Sequence, residues 1–159
     1  MTLCVVDMQP HFKPARKDSL VKNVISEIRK AKRKREGIVV LEYATLGFSD
    51  SDIIEEVKSY DRQTIVTKHE DDGSEEFMNA VHQHKFWPMR LKFCGVNACY
   101  CVWDTFWGVY HSTSKNTKLE LLSHAVNCSC PNRGGKLKQC IGWYKEQAAD
   151  CERVKILNG

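Results

Sequence analysis

Three residue types that together make a nucleophilic centre stand at matching points of three separate segments. Cys101 follows an apolar run, Leu91, Phe93 and Val96, that reads as a buried strand breaking at Gly95. From Ala98 to Trp107 the spacing fits a helix, which puts Cys101 in its first turn. Orphan backbone N–H groups and the positive dipole end favour a thiolate there, and the thiolate is the attacking form. A nucleophile needs a base and a charge partner. Asp7 closes the segment TLCVVD, and Lys68 closes QTIVTK. If these strands are parallel, all three ends share the sheet edge where such folds keep their sites. Asp7 would take the thiol proton, while Lys68 would hold Asp7 ionised and favour the thiolate as a nearby cation. The attack would fall on a carbonyl carbon and leave an acyl-cysteine. The plain alternative is a small buried cysteine beside a carboxylate that caps a loop.

The elements that must position these residues alternate strand and helix, with no repeat and no low-complexity linker. Strands are expected at Leu3–Asp7, Ile38–Tyr43, Thr64–Lys68, Leu91–Cys94, Lys118–Leu122 and Val154–Leu157. A first helix carries the stripe Val21, Val24, Ile25, Ile28 and Ala31, with Asp18 or Ser19 as its cap and Gly37 as its end. Further helices are expected over Asp52–Tyr60, Glu75–His84, Ala98–Tyr110 and Lys136–Ala149. Short apolar strands alternating with helices predict an α/β fold, a parallel sheet covered on both faces.

Asp7-Met8-Gln9 with Phe12, the segment Gly95-Val96 to Cys101-Val102 and Thr105, and Lys68 resemble the three motifs of the isochorismatase-like cysteine hydrolases. The resemblance implies a three-layer doubly wound fold with a six-stranded parallel sheet. It implies an Asp7-Lys68-Cys101 triad and an oxyanion hole from the backbone N–H groups of Asn97 and Cys101, with a cis bond between Val96 and Asn97. It makes Gln9 a supporting hydrogen bonder and Phe12 a pocket-lining residue, and it implies a homo-oligomer. Amidases of this family that act on nicotinamide carry an Asp-x-His metal motif and a further His between the second and third strands. No histidine lies between Tyr43 and Lys68, so neither that branch nor a catalytic metal is expected, and no cofactor is implied. Only 24 residues separate Tyr43 from Lys68, fewer than the family usually spends on loops over its substrate. An open pocket, or one roofed by a second subunit, follows. Two departures leave the substrate open: Ala98 stands where the family commonly has threonine, and His124-Ala125 where it has Asp-Ala.

A chain of 159 residues bounds the rest to a single domain over 1–159. No apolar run approaches the ~20 residues of a membrane span, and the N-terminus enters a strand at once. A cytoplasmic protein without membrane partner is the default. The net charge of +4 is densest in KAKRKR, Lys30 to Arg35, with no interleaved aromatic. That pattern reads as a solvated helix end complementing the dipole rather than a nucleic-acid patch. The acidic segment HEDDGSEEF after Lys68 reads as a solvated loop, with attraction of a cationic substrate as the minor alternative.

Eight cysteines are many for such a chain. In a reducing compartment a disulfide scaffold is not expected. Cys4 and Cys94 read as core residues, while Cys140 and Cys151 have no obvious partner. A zinc site from Cys99-x-Cys101 and Cys128-x-Cys130 is a rival reading, but C-x-C pairs chelate poorly. His82 and His84 are expected to be exposed, and Trp103 and Trp107 to pack or to form an interface. The sequence thus points to a hydrolase cleaving a C–N bond of a small molecule through an acyl-cysteine. The alternatives are a non-catalytic binding protein on the same scaffold and a zinc-stabilised interaction protein.

Overall fold

The computed structural model describes residues 1–129 and 136–158. Its strands are β1 (Thr2–Val6), β2 (Gly37–Tyr43), β3 (Gln63–Lys68), β4 (Arg90–Val96), β5 (Lys118–Asn127) and β6 (Val154–Leu157). The helices are α1 (Asp18–Arg33), α2 (Ser51–Lys58), α3 (Ser74–Gln83), α4 (Cys101–Ser112) and α5 (Leu137–Ala148). All five neighbouring strand pairs are parallel, in the order β3-β2-β1-β4-β5-β6. The chain winds outward from β1 in one direction and then returns to β4 on its other side. The β1/β4 junction is therefore the switch point where doubly wound sheets open a crevice.

Alternation along β1 shows how the sheet is covered. Cys4 and Val6 enter a cluster with Phe77 of α3, Phe106 of α4 and Tyr144 of α5. Leu3 and Val5 enter the opposite cluster with Val24 and Ile28 of α1 and Ile53 and Val57 of α2. With both faces buried, the strands read as apolar runs rather than as alternating patterns. Among the described residues, no helix is long and apolar enough to cross a membrane.

Several boundaries differ from the sequence reading. Gly95 does not break β4 but lies within it at φ 117°, where an added Cβ would come 2.0 Å from the Val6 carbonyl oxygen. Glycine is used there so that β4 and β1 can approach closely. Gly37 opens β2 instead of ending α1, which is terminated by Arg35 in the left-handed region at φ 56°. Asp18 is the first helical residue, and the N-cap Lys17 provides no side-chain bond. His124 and Ala125 lie inside β5, which runs five residues beyond Leu122 after its register against β4 shifts. The Nε2 of His124 stands 3.0 Å from Glu27 Oε1 and ties β5 to α1. The basic run is paired in part, with Lys32 on Glu56 and Arg35 on Asp61, while His82 and His84 are exposed.

Candidate active site

β1 stops because Asp7 turns into the left-handed region at φ 51°, a conformation that short polar residues tolerate and that clusters at functional sites. Its N–H still bonds the Leu41 carbonyl at 2.9 Å, so the residue is fixed while its side chain leaves the sheet edge. Lys68, the last residue of β3, reaches across β2 and places Nζ 3.1 Å from Asp7 Oδ2. Both side chains are fully buried, at 0% exposure. The Lys68 stem needs Gly73, since a Cβ there would stand 2.6 Å from Lys68 Cδ. Cys101 lies in the first turn of α4 as expected, but the helix begins at Cys101 itself rather than at Ala98, and the residue is 2% exposed. The structure therefore brings Asp7, Lys68 and Cys101 to one edge of the sheet.

Electrostatics modify the simple picture of a preformed thiolate. Burial, followed by the charge of Asp7, pushes the Cys101 thiol up from its ordinary value, and Lys68 pulls the other way. Burial likewise raises the Asp7 carboxyl above 3.8, against the pull of Lys68. Burial thus favours the neutral thiol at Cys101 and holds the Asp7 carboxyl above its ordinary range. Side-chain contacts from Cys101 and Lys68 act on the Asp7 carboxylate in the opposite sense to burial.

The peptide bond between Val96 and Asn97 is cis. The Asn97 carbonyl accepts from the N–H groups of Tyr100 and Val102, which closes the turn into α4. Among the described residues, the Cys101 N–H has no backbone acceptor. Gln9 is buried. Its amide nitrogen donates to the carbonyls of Tyr43 and Gly47, and its oxygen accepts from the Tyr43 N–H. It fixes the loop that follows β2. Phe12 is half-buried and packs on the α1 side of the sheet.

The open pocket expected from the short β2–β3 connection is not observed. The segment after β3 folds over the site instead. Lys68 Nζ donates to the carbonyls of Glu70 and Asp71 at 2.8 and 3.3 Å, and Cys101 Sγ donates to Asp71 Oδ1 at 3.4 Å. Thr105, one turn after Cys101 on α4, accepts from the Gly73 N–H at 3.0 Å and donates to the Asp71 carbonyl. The acidic segment is an exposed loop as expected, but the contact of Asp71 with Cys101 was not foreseen. The available signal was its place three residues beyond Lys68.

The cysteine expectations also change. Cys4 and Cys94 are buried as expected. Cys99, however, is disulfide-bonded, because folding sets which sulfurs meet and a compartment argument does not. Cys101 is not its partner, since Cys101 is a free thiol. Cys140 does have a neighbour, with its Sγ 3.1 Å from Cys128 Sγ. Cys130 of the rival zinc set lies outside the described residues, and Cys101 faces the acids, so that set is not assembled as four. Trp103 and Trp107 pack in an aromatic group with Phe106 and Tyr144. Among the described residues, the group of histidines, cysteines and acids close enough to share a metal is Cys99, Cys128 and Cys140.

No protein-family model and no curated protein matches the chain. Solved structures do match. A nicotinamidase from Staphylococcus aureus is similar with a TM-score of 0.75 at 16% identity, covering 98% of this chain and 97% of that one. An isochorismatase from Pseudomonas putida gives 0.75 at 12% identity, covering 99% and 87%. The YcaC gene product of Escherichia coli, an octameric hydrolase of unknown specificity, gives 0.73 at 13% identity, covering 99% and 74%. Sheet order, helix placement and these likenesses agree that the chain has the isochorismatase-like fold.

Proposed function

We propose that residues 1–159 form one hydrolase domain that cleaves a C–N bond of a small amide through an acyl-cysteine. The observation that carries this reading is the buried Lys68–Asp7 ion pair, 3.1 Å long, at the sheet edge where Cys101 opens α4. Asp7 takes the Cys101 proton as sulfur attacks the carbonyl carbon, which matches a base whose pKa is raised and a nucleophile that rests as a thiol. The negative charge moves to the carbonyl oxygen, where the N–H groups of Asn97 and Cys101 are its donors. Asp7 returns the proton to the departing nitrogen, and the C–N bond breaks. Water then adds to the thioester, giving its proton to Asp7, and the carboxylic acid leaves as the thiol is restored. Lys68 holds the negative charge of Asp7 between these transfers. With Cys101 covered, the segment 69–73 must move before substrate can enter.

The fold alone hosts more than one chemistry, so activity rests on the site. The test is turnover across a panel of small primary and secondary amides, with mass spectrometry of the quenched protein to find an acyl adduct on Cys101. Ammonia or amine release that vanishes in Cys101→Ala supports the reading. Unchanged release in that variant sinks it.

The complete burial of the three residues favours one second reading, a binding protein that keeps them as a charge pair. Iodoacetamide on the resting protein does not separate the two, because a covered thiol is slow in either case. Turnover separates them. The same chain is proposed to act on small molecules as a cytoplasmic homo-oligomer without nucleic-acid or membrane partner. Support for self-association comes from Phe48, 82% exposed on the loop after β2, and sedimentation analysis checks it.

A further inference from the structure

Between α4 and α5 the surface opens a cleft of about 710 Å³ that the proposed hydrolysis does not use, lined by Trp103, Gln139, Trp143, Glu146 and Gln147. The α5 members recur at the spacing of one helix face, and Trp103 meets that face from α4. On α4, Trp103 stands two residues after Cys101, about 200° further round the helix, so the cleft is separate from the nucleophile. Its ring is held from behind, with centroids 4.7 Å from Tyr144 and 5.6 Å from Trp107, yet it is only partly buried. Trp143 packs on the same core cluster and is likewise partly exposed. Two indoles thus line one opening. Charge is distributed unevenly around it. Among the described residues lining the cleft, Glu146 is the one with a formal charge, and it is exposed. The nearby cations of α5, Lys138 and Lys145, line a neighbouring cleft with Ile141 and Gly142 instead. The helix therefore divides its charges and keeps a carboxylate on the tryptophan side.

We propose that this cleft binds a small organic cation of the quaternary-ammonium class, with Trp103 and Trp143 against its methyl groups and Glu146 as its counter-charge. The face of an indole is the negative end of its quadrupole, and it attracts a cation placed over it. A quaternary ammonium donates no N–H, so rings and a carboxylate suit it better than a fixed cage of acceptors. An anion would be opposed by Glu146. One carboxylate and two amides fall short of the roughly six to eight oxygens that calcium takes. The volume lies within the range of small-molecule sites, roughly 300–1,000 Å³. Three polar side chains share the lining with the two rings, which favours a free molecule over a lipid surface. The site stands whether or not the chain hydrolyses amides.

Titration of the full chain with choline chloride, followed by calorimetry and tryptophan fluorescence, tests the site, with sodium chloride at equal ionic strength as the blank. The neutral alcohol in which a carbon replaces the nitrogen of choline has the same shape without the charge. Choline should bind saturably and about tenfold more tightly than that alcohol. Trp143→Leu should weaken choline binding about tenfold, and Glu146→Gln about threefold. Lys145→Gln, on the other side of α5, should not weaken it. Absence of saturable choline binding overturns the proposal. Equal affinity for choline and the alcohol also overturns it, because the cleft is then an apolar crevice without preference for charge. Full affinity in either Trp143→Leu or Glu146→Gln does the same. If Trp143→Leu does not fold, Glu146→Gln decides, since that side chain is exposed. Phosphatidylcholine vesicles present the same headgroup on a surface. Co-sedimentation with them in the absence of free-choline binding overturns the assignment to a small molecule.

Discussion

Cys101 has a carboxylate and an ammonium for neighbours, whereas Cys99, two residues earlier, lies beside the sulfurs of Cys128 and Cys140. Both regions are buried, and both draw on segments far apart in the chain. They differ in what burial does to them. Around Cys101 desolvation acts on charged groups, so protonation states shift and a proton has somewhere to go. Around Cys99 the neighbours include the sulfurs of Cys128 and Cys140, within a core cluster that also holds aromatic rings. A buried ion pair is sensitive to loss of one partner, since the other charge is then left uncompensated. A sulfur group loses mainly packing and cross-linking when one member goes. The contrast therefore predicts that the two regions fail in different ways.

The largest effect should come from Lys68→Met. It removes the cation from a fully buried carboxylate, with an expected destabilisation of about 3 kcal/mol and loss of turnover. The deficit should depend on pH with a definite sign. The carboxyl of Asp7 is already raised in the folded state, and loss of Lys68 raises it further. A raised carboxyl favours folding at low pH, and that contribution disappears as pH rises through its folded value. The variant should therefore come closest to wild type in acid and fall furthest behind near neutrality. Urea denaturation at several pH values measures this, and a pH-independent deficit would break the assignment of Lys68 as the partner of Asp7.

Cys101→Ala and Cys99→Ala sharpen the comparison directly. The first should abolish amide turnover while leaving stability within about 1 kcal/mol, as one small sulfur is removed beside a site. The second should keep turnover and lose about 2 kcal/mol, since a buried cross-link goes. If the Cys99 variant loses turnover and the Cys101 variant keeps it, the nucleophile has been assigned to the wrong cysteine.

An intermediate effect is expected on the segment that joins the two halves of the site. Thr105→Val leaves the buried Gly73 N–H without its acceptor at 3.0 Å, an expected loss of about 1.5 kcal/mol. Hydrogen exchange should show faster opening of residues 69–73 in this variant, with Cys140 and its surroundings unaffected. Equal protection in both proteins would mean that Thr105 does not hold the segment.

Much of the candidate site was legible because strand ends carry positional information. Asp7, Lys68 and Cys101 each follow a short apolar run, and parallel strands deliver their ends to one edge whatever the loops do. What covers that edge was not legible. Asp71 lies in an acidic stretch whose composition favours solvent, and it stays exposed, yet its carbonyl accepts from Lys68 and Thr105 and its carboxylate from Cys101. The sulfur group was hidden for a related reason. Cys140 is 12 residues from Cys128, and only the packing of α5 against the sheet brings them together. Regular spacing drew attention to the C-x-C pairs, but helix α4 aims Cys101 away from Cys99. The extent of β5 was misjudged where Ser123 and His124 interrupt its apolar run, because the register shift against β4 leaves no sequence signature.

The smallest effect, and the one that probes the closed state most directly, is expected from Asp71→Asn. The side chain keeps its size and an oxygen that accepts from Cys101, so stability should change by less than about 0.5 kcal/mol. Its charge is what changes. Behind burial and Asp7, the Asp71 carboxylate is among the influences raising the Cys101 thiol, and it raises Asp7 as well. Without it the thiolate forms at lower pH, and so does the carboxylate that accepts its proton. The rate of Cys101 alkylation by iodoacetamide, followed by peptide mapping, should rise at every pH below its plateau, with its midpoint displaced downward. Cys151, half-exposed and distant in sequence, supplies the internal reference, and its rate should not move. Were the Cys101 profile unchanged, Asp71 would be a passive cover on the nucleophile. The closed segment would then block access by position alone, with no electrostatic hold on the thiol.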